Sequence, residues 1–357
     1  MWSDISRSDK RKGGDHLNKE DILHKLCASG EEQQELFRRA REIRDEHFPQ
    51  GVCVRGVIET TNLCTCNCDY CPMRRDNLKM NELYSLNEQE ILGAVQQIRT
   101  CGIHTVFLQA GETPMTTGSL GEAIGKIRSL YDGDVAIILN LGVKTVEEYA
   151  YLYEQGATGY ILKFETSDSV NHERLRHESY EQRIEAIRHL LNIGYSVGTG
   201  MIIGLPGQTL DTIADDILLA QSLKVQMCSV SPFLPAPNTP LQSHPPGSIQ
   251  MTLNAMAIMR LLSPDWLIPS VSALEKISTG GQVAGLRAGA NVITVNYTPK
   301  KESDKYHIYG ENRFVVTLAH ALQTIEAAGL NTSIGAGSEA TGQISYSKEK
   351  SHESISG

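Results

Sequence analysis

Four of the eight cysteines of this 357-residue chain lie between positions 64 and 71, in Leu63-Cys64-Thr65-Cys66-Asn67-Cys68-Asp69-Tyr70-Cys71-Pro72. A local disulfide accounts for one pair but not for this crowding. The N-terminus, Met-Trp-Ser-Asp-Ile-Ser-Arg-Ser-Asp-Lys-Arg-Lys, lacks the apolar core of an export signal. Thiolates this close, with polar spacers free of glycine, reach one iron–sulfur cluster or one zinc ion from a single loop. Two spacings compete: Cys64, Cys68 and Cys71 form C-x3-C-x2-C, and Cys66 could substitute for Cys64. A structural zinc site wants four ligands, usually from two C-x2-C knuckles, and the chain has no second knuckle. Three thiolates suit a [4Fe-4S] cluster that keeps one iron open for a small molecule.

The C-x3-C-x2-C triad, with Tyr70 before its last cysteine and a β-like run before its first, resembles the radical S-adenosylmethionine (SAM) superfamily. The resemblance implies that Cys64, Cys68 and Cys71 are the ligands, that Cys66 is a bystander, and that Tyr70 sits at the cofactor. It also implies that the open iron chelates the amino and carboxylate groups of SAM. One electron then cleaves SAM to methionine and a 5'-deoxyadenosyl radical.

Length and composition agree with one α/β domain of that size: 40% of residues are hydrophobic, enough for a sizeable core. A net charge of -9 without a basic block argues against a nucleic-acid partner. No apolar run approaches the ~18 residues of a membrane helix. Reduced cysteines need a reducing compartment, so the expectation is a cytoplasmic protein.

Residues 1–15 are polar and are expected to be disordered, as is the Ser/Gly/Thr-rich tail 331–357. Residues 16–50 read as a helical cover at one end of the fold, with helices at 18–29 and 31–47 and Asn18 as a cap. From 51 to 330, β-type runs alternate with helical patterns. The strands are expected at 53–60, 104–110, 134–140, 159–164, 197–203, 226–231, 267–271 and 291–296. Helices are expected near 88–100, with a capping box at Asn87 and Glu90, and near 118–131, 145–155, 180–193, 209–222, 249–262, 280–287 and 313–328. Eight such pairs predict a complete (βα)8 TIM-type barrel, whose chemistry lies at the C-terminal strand ends. The cysteine loop follows the first strand.

Polar residues cluster at the other strand ends. Gln109-Ala-Gly-Glu-Thr-Pro114 follows the second strand and is similar to the family's Gly-Glu-Pro element, which implies that Gly111 and Glu112 line the methionine amino group. Strand four ends in Lys163-Phe-Glu-Thr166. Buried charges need partners or ligand, so Glu165 and Arg183 suit a zwitterionic cosubstrate, with Glu165 toward ribose or ammonium and Arg183 toward carboxylate. The nearby His172, Arg174, Arg176 and His177 read as a solvated helix face. Gly198-Thr-Gly-Met-Ile-Ile-Gly-Leu-Pro-Gly-Gln-Thr209 lacks the lysine of a phosphate loop and resembles the element that flanks adenine, which brings Leu205 to the cofactor. Pro232-Phe-Leu-Pro-Ala-Pro-Asn-Thr-Pro240 reads as a rigid wall. Asn140, Ser270, Ser272, Asn296, Tyr297 and Thr298 are small or polar groups at strand ends, open to substrate contact or to plain turn chemistry.

Within the superfamily the chain is similar to the biotin synthase/HydE/PylB group, above all to HydE-like proteins. The segments that carry this are Cys71-Pro-Met-Arg-Arg-Asp-Asn77, Leu108-Gln-Ala-Gly-Glu-Thr-Pro114, Gly204-Leu-Pro-Gly-Gln-Thr209, Leu267-Ile-Pro-Ser270 and Gly289-Ala-Asn-Val-Ile-Thr-Val-Asn-Tyr-Thr-Pro299. Ile138 and Gly198 stand where biotin synthase has cluster-binding cysteines, which disfavours sulfur insertion. Cys27, Cys53, Cys101 and Cys228 read as buried small residues. No cysteine follows 228, so the accessory cluster of some HydE relatives is not expected. Lys163-Phe164 replaces the Arg-His of HydE, and Asn140 replaces a small hydroxyl residue. The expectation is a small amino-acid-derived substrate bound by Gln109, Asn140, Lys163, Ser272 and Asn296, with a ferredoxin or flavodoxin as electron donor. Alternatives are a PylB-like carbon-skeleton mutase of the 3-methylornithine synthase type, a non-catalytic cluster carrier, and a zinc-stabilised binding protein.

Overall fold

Alternation of β-type and amphipathic segments produces a parallel sheet with helices outside it, in a computed structural model that describes residues 14–77, 82–114, 117–310, 312–332 and 334. Helices α1 (Lys19–Leu26) and α2 (Gly30–His47) precede β1 (Cys53–Thr61), and α3 (Glu88–Thr100) leads to β2 (Thr105–Ala110). Then come α4 (Thr117–Leu130), β3 (Ala136–Asn140), α5 (Val146–Glu154) and β4 (Gly159–Ile161). Two helices, α6 (Ser169–Arg176) and α7 (Tyr180–Ile193), connect to β5 (Ser196–Ile203), and α8 (Leu210–Ser222) to β6 (Met227–Pro232). The chain finishes with α9 (Ile249–Leu262), α10 (Ser272–Ile277), α11 (Gly281–Arg287), β7 (Val292–Asn296), α12 (Lys300–Ser303) and α13 (Leu318–Ala327). The capping boxes at Asn18 and Asn87 form as expected.

All strand pairs are parallel, in the order β6-β5-β4-β3-β2-β1-β7. Every second side chain points inward. Val57, Phe107, Ile138, Ile161 and Met227, from five different strands, therefore meet in one buried cluster with Leu267 against it. One cluster and one cavity shared by residues of β1 and β6 mean the sheet is curled round a lumen. A larger apolar cluster buries its outer face under the helices.

The complete eight-stranded barrel is not what forms. The segment expected as a strand at 267–271 makes only single bridges, Met227 to Leu267 on one side and Val292 to Pro269 on the other. Pro269 has no N–H to give a ladder, and the N–H of Ile268 is spent on the Asn291 side chain at 2.8 Å. The sheet has seven strands among the described residues. β4 is also shorter than expected: its continuous ladder to β5 ends at Ile161, and pairing resumes only as a single bridge between Glu165 and Met201.

The N-terminal helices lie against α8 and α9 of the outer layer, and α2 also touches α11. α9 is buried on nearly all sides as a result. The expected disorder at both ends falls largely on residues 1–13 and 335–357, outside the described residues. Where those regions are described they are tied down: Asp15 N–H bonds Leu261 O at 3.0 Å, and Val52 N–H bonds Asn331 O at 2.8 Å. Cys228 is buried as expected, whereas Cys27 is exposed at the end of α1, and Cys53 and Cys101 are only half-buried.

After β7 the chain returns across the C-terminal rim as a strap. Arg313 donates to both carboxylate oxygens of Glu59 on β1, at 2.5 and 2.6 Å, and to Ser303 O at 3.0 Å. Asn62 Nδ2 donates to Lys305 O at 3.0 Å and to Glu82 O at 2.8 Å. Tyr306 OH accepts from Gln109 at 3.0 Å. Glu59 is 3% exposed, so the Arg313→Met change strands a buried carboxylate. The expected loss is about 3–5 kcal/mol, read as a lower urea midpoint and as faster amide exchange in the strap.

Candidate active site

The cysteine loop leaves β1 and is held from below by backbone bonds: Thr65 N–H to Glu112 O at 2.8 Å, Asp69 N–H to Leu175 O at 2.8 Å, and Arg75 N–H to Cys66 O at 2.8 Å. These fasten it to the ends of β2 and α6. Cys68 is buried, and Cys64 and Cys71 are half-buried. Burial pushes the Cys68 and Cys71 thiols up, and the neighbouring thiols add to this. Cys64 is lowered to about 7, chiefly by a hydrogen bond from Cys66.

Ligand-atom spacing separates the two metal readings. The set of three ligand atoms within 4.8 Å of one another, among the described residues, is Cys66, Glu112 and Glu178. Cys64, Cys68 and Cys71 form no such set. Zinc–sulfur bonds of about 2.3 Å would need thiolates roughly 3.8 Å apart, so the wider triad suits a multi-iron cluster better than one ion. Cys66 lies beside the carboxylates of Glu112 and Glu178, which are engaged by arginines, and also hydrogen-bonds to Cys64.

Behind the loop lies a buried charge network centred on a residue that sequence reasoning assigned to solvent. Arg176 is 5% exposed. It donates to Tyr70 OH at 2.9 Å and to Glu178 Oε2 at 2.9 Å, and lies 3.6 Å from Glu112 and 3.9 Å from Glu165. Burial opposes its charge, but Cys68, Tyr70, Glu178 and Glu112 offset this, so its pKa stays well above the usual value. His172, also expected in solvent, is buried with Nδ1 on Phe164 O at 2.8 Å. Arg174 and His177 do lie outside, although His177 Nε2 reaches Asp69 at 2.8 Å. No simple signal separated these residues: α6 is only eight residues long, and its burial follows from the loops packed on it.

Arg183, in the first turn of α7, donates to Lys163 O at 2.7 Å and lies 3.5 Å from Glu112 and 3.4 Å from Glu178. Glu112 folds back so that Val143 N–H donates to it at 2.7 Å. It does so over Gly142 (φ +78), where an added Cβ would lie 2.0 Å from Glu112 Cγ. Gly111 is equally constrained, since a Cβ there would meet Leu63 O at 2.2 Å. Glu165 has φ +66, strained for a residue with a side chain. Its Oε2 is buried without a hydrogen-bond donor, although Lys163 Nζ lies 3.2 Å away in poor alignment. Burial opposes the Lys163 ammonium, but Glu165, with Tyr309 and Cys228, more than offsets this and raises its pKa above the usual value. Tyr70 packs with Leu175, Ile202, Leu205 and Phe233, an apolar surface built by α6, β5 and the Pro232–Pro240 wall.

Inside the sheet is a cavity of about 180 Å³. Gln109, Asn140, Lys163, Ser272 and Asn296, placed on five different strand ends by sequence, all line it. So do Ser270 and Gly198; Ile138 belongs to the apolar cluster beneath. Tyr297 packs on the outer core, and Thr298 caps Glu59 at 3.2 Å. Tyr309 and Arg313 of the strap also line the cavity and carry no periodic signal that would have marked them. A second, larger cavity of about 740 Å³ lies against the cysteine loop, lined by Cys66, Glu112, Lys144, Glu178 and Arg183.

Residues 58–220 match the model of the Radical SAM superfamily. The chain is 37% identical over 276 residues to the [FeFe] hydrogenase maturase subunit HydE of Thermotoga maritima, covering 77% of this chain and 78% of that protein. It is 28% identical to a 3-methylornithine synthase of Methanosarcina acetivorans, over 79% of this chain and 80% of the relative. The solved structure of methylornithine synthase (PylB) superposes with a TM-score of 0.78 at 24% identity, over 90% of this chain and 95% of that one, a likeness of fold.

Replacing Arg176 by Met leaves three carboxylates and Tyr70 without their shared cation. The expected outcome is a stability loss of about 3 kcal/mol together with less iron bound per chain after anaerobic reconstitution, measured by urea unfolding and iron analysis.

Proposed function

Because the chain belongs to the radical SAM superfamily, we propose that it is an enzyme of HydE-like type that cleaves SAM at a [4Fe-4S] cluster on Cys64, Cys68 and Cys71 and acts on a small amino-acid-derived substrate. The family uses SAM and an iron–sulfur cluster, and the residues present fit both. Cys64, Cys68 and Cys71 are not gathered within 4.8 Å of one another as ligands of a single ion would be, Glu165 keeps a buried oxygen without a hydrogen-bond donor, and Gly111 leaves backbone room beside Cys64. When bound, these groups supply a 5'-deoxyadenosyl radical. The chain's own residues orient and shield. Arg183 faces the cosubstrate carboxylate and Glu165 its ribose or ammonium, while Leu205 and Tyr70 give the adenine an apolar wall. The strap and the curled sheet keep water from the reacting centre.

The observation that carries this reading is the convergence of Gln109, Asn140, Lys163, Ser272 and Asn296 on one cavity inside the sheet. Lys163 offers a carboxylate a charge-assisted donor, and the amides and hydroxyl offer an amine acceptors. A carbon-skeleton mutase of PylB type is the second reading. Lys163 and Asn140, which depart from the HydE pattern in the pocket itself, count against the native HydE substrate. The chemistry calls for a one-electron donor such as ferredoxin or flavodoxin and a reducing, cytoplasmic setting. No helix of the described residues is long and apolar enough to cross a membrane.

Anaerobic reconstitution, dithionite reduction and assay of SAM cleavage test the proposal, with Cys68→Ala as control. Formation of 5'-deoxyadenosine by the wild type and not by the variant is expected. Bound iron without cleavage would favour a cluster carrier, and zinc in the site would end the argument. Lys163→Ala should keep basal SAM cleavage but raise the substrate concentration needed for stimulation about tenfold or more, the scale of one charge-assisted hydrogen bond. Unchanged stimulation would remove Lys163 from the substrate site.

A further inference from the structure

Asp216 lies on α8, outside the sheet, and is fully buried. Among the described residues no cation pairs with it. Its partners are all hydrogen-bond donors. Oδ1 accepts from Ser167 N–H and, at 3.3 Å, from Thr166 Oγ1. Oδ2 accepts from Gln208 Nε2 at 3.3 Å. Gln208 in turn holds its own loop, accepting from Gly204 N–H at 2.7 Å and donating to Ile202 O at 2.9 Å. Thr166 Oγ1 also accepts from Asp168 N–H at 3.3 Å.

These ties join two segments that reach the cofactor side by different routes. One is the end of β4, where Glu165 sits in its left-handed conformation directly before Thr166 and Ser167. The other is the Gly204–Gln208 turn after β5, which carries Leu205 into the apolar cluster with Tyr70. We propose that Asp216 is a positioning residue: from α8 it clamps the strand end bearing Glu165 to the turn bearing Leu205, and so sets the cleft between the ribose-side carboxylate and the adenine-side wall. This rests on the reading that Glu165 and Leu205 hold SAM.

The clamp needs the ionised carboxylate. A proton on Oδ2 faces the amide hydrogens of Gln208, whose carbonyl is already held by Gly204 N–H, and loss of the charge weakens the bonds from Ser167 and Thr166 to Oδ1. Burial, moderated by the bonds from Ser167 and Thr166, raises the Asp216 pKa to about 7. The titratable groups facing it are Asp215 on its own helix, Tyr180 at the start of α7 and Cys228 on β6, none of them a cation. The signs then diverge. A carboxyl whose folded pKa lies above its unfolded value binds its proton more tightly in the native state, so its contribution to stability declines as pH rises from about 4 to 7. SAM affinity rises over the upper part of the same interval, as the clamp forms.

The test is SAM binding to the anaerobically reconstituted holoenzyme by equilibrium dialysis between pH 6 and 8, with urea stability measured in parallel. The wild type should bind SAM more tightly as pH rises through about 7. Asp216→Asn presents an amide hydrogen to the same donors; it should bind about tenfold more weakly and show little pH dependence, with the iron content of the wild type. Asp215→Asn, an exposed neighbour, should behave as wild type. Equal affinity and an equal pH profile in Asp216→Asn would overturn the proposal while leaving the SAM site intact. A wild-type affinity that does not rise through this interval would overturn it even if the variant fails to fold, and no SAM binding by the wild type would overturn both readings.

Discussion

A guanidinium removed from water must be surrounded by acceptors, and Arg176 meets that requirement by drawing four separate chain segments together. Tyr70 comes from the cysteine loop, Glu112 from the end of β2, Glu165 from the end of β4, and Glu178 from the link between α6 and α7. Each alone would be a polar group at a loop end. Joined through one cation, they fix the cysteine loop against the strand ends and turn Glu165 and Glu112 toward the same space. Arg183 repeats the arrangement from α7 with Glu112 and Glu178.

That convergence is possible because a parallel sheet puts every strand's C-terminal end on one rim. The period-two alternation then grades the lumen. Val57, Phe107, Ile138, Ile161 and Met227 make an apolar layer, and two positions further along, Glu59, Gln109, Asn140 and Lys163 make a polar one. The polar layer faces the cysteine loop, and the strap anchored by Glu59 and Arg313 covers it. Radical chemistry depends on such a gradation, since an apolar floor and a tied roof exclude water while a few polar groups hold the substrate.

Much of this was legible residue by residue. Helices α3, α7 and α9 begin and end where their caps and periodicity place them. The five polar residues expected at the substrate share a cavity because strand alternation and rim position are both local properties. The failures have physical causes. Pro269 and the diversion of Ile268 N–H to Asn291 reduce an expected strand to two bridges, and the hydrophobic pattern of Leu267-Ile-Pro carries no sign of the second effect. Arg176 and His172 looked like a solvated face because the pattern on a short helix does not say which loops will cover it.

The sequence by itself determined the chemistry on offer: three thiolates at C-x3-C-x2-C, a carboxylate and a guanidinium near a later strand end, and alternation that demands a parallel α/β fold. These depend on spacing along the chain, which the chain carries wherever it goes. Tertiary structure alone decided the partnerships across long sequence separations. It set Arg176 among four segments, closed Glu59 on Arg313 over 254 positions, and tied Asp216 to the turn beside Glu165. Those pairings are decided by which charges are buried together, and burial is a property of the packed whole.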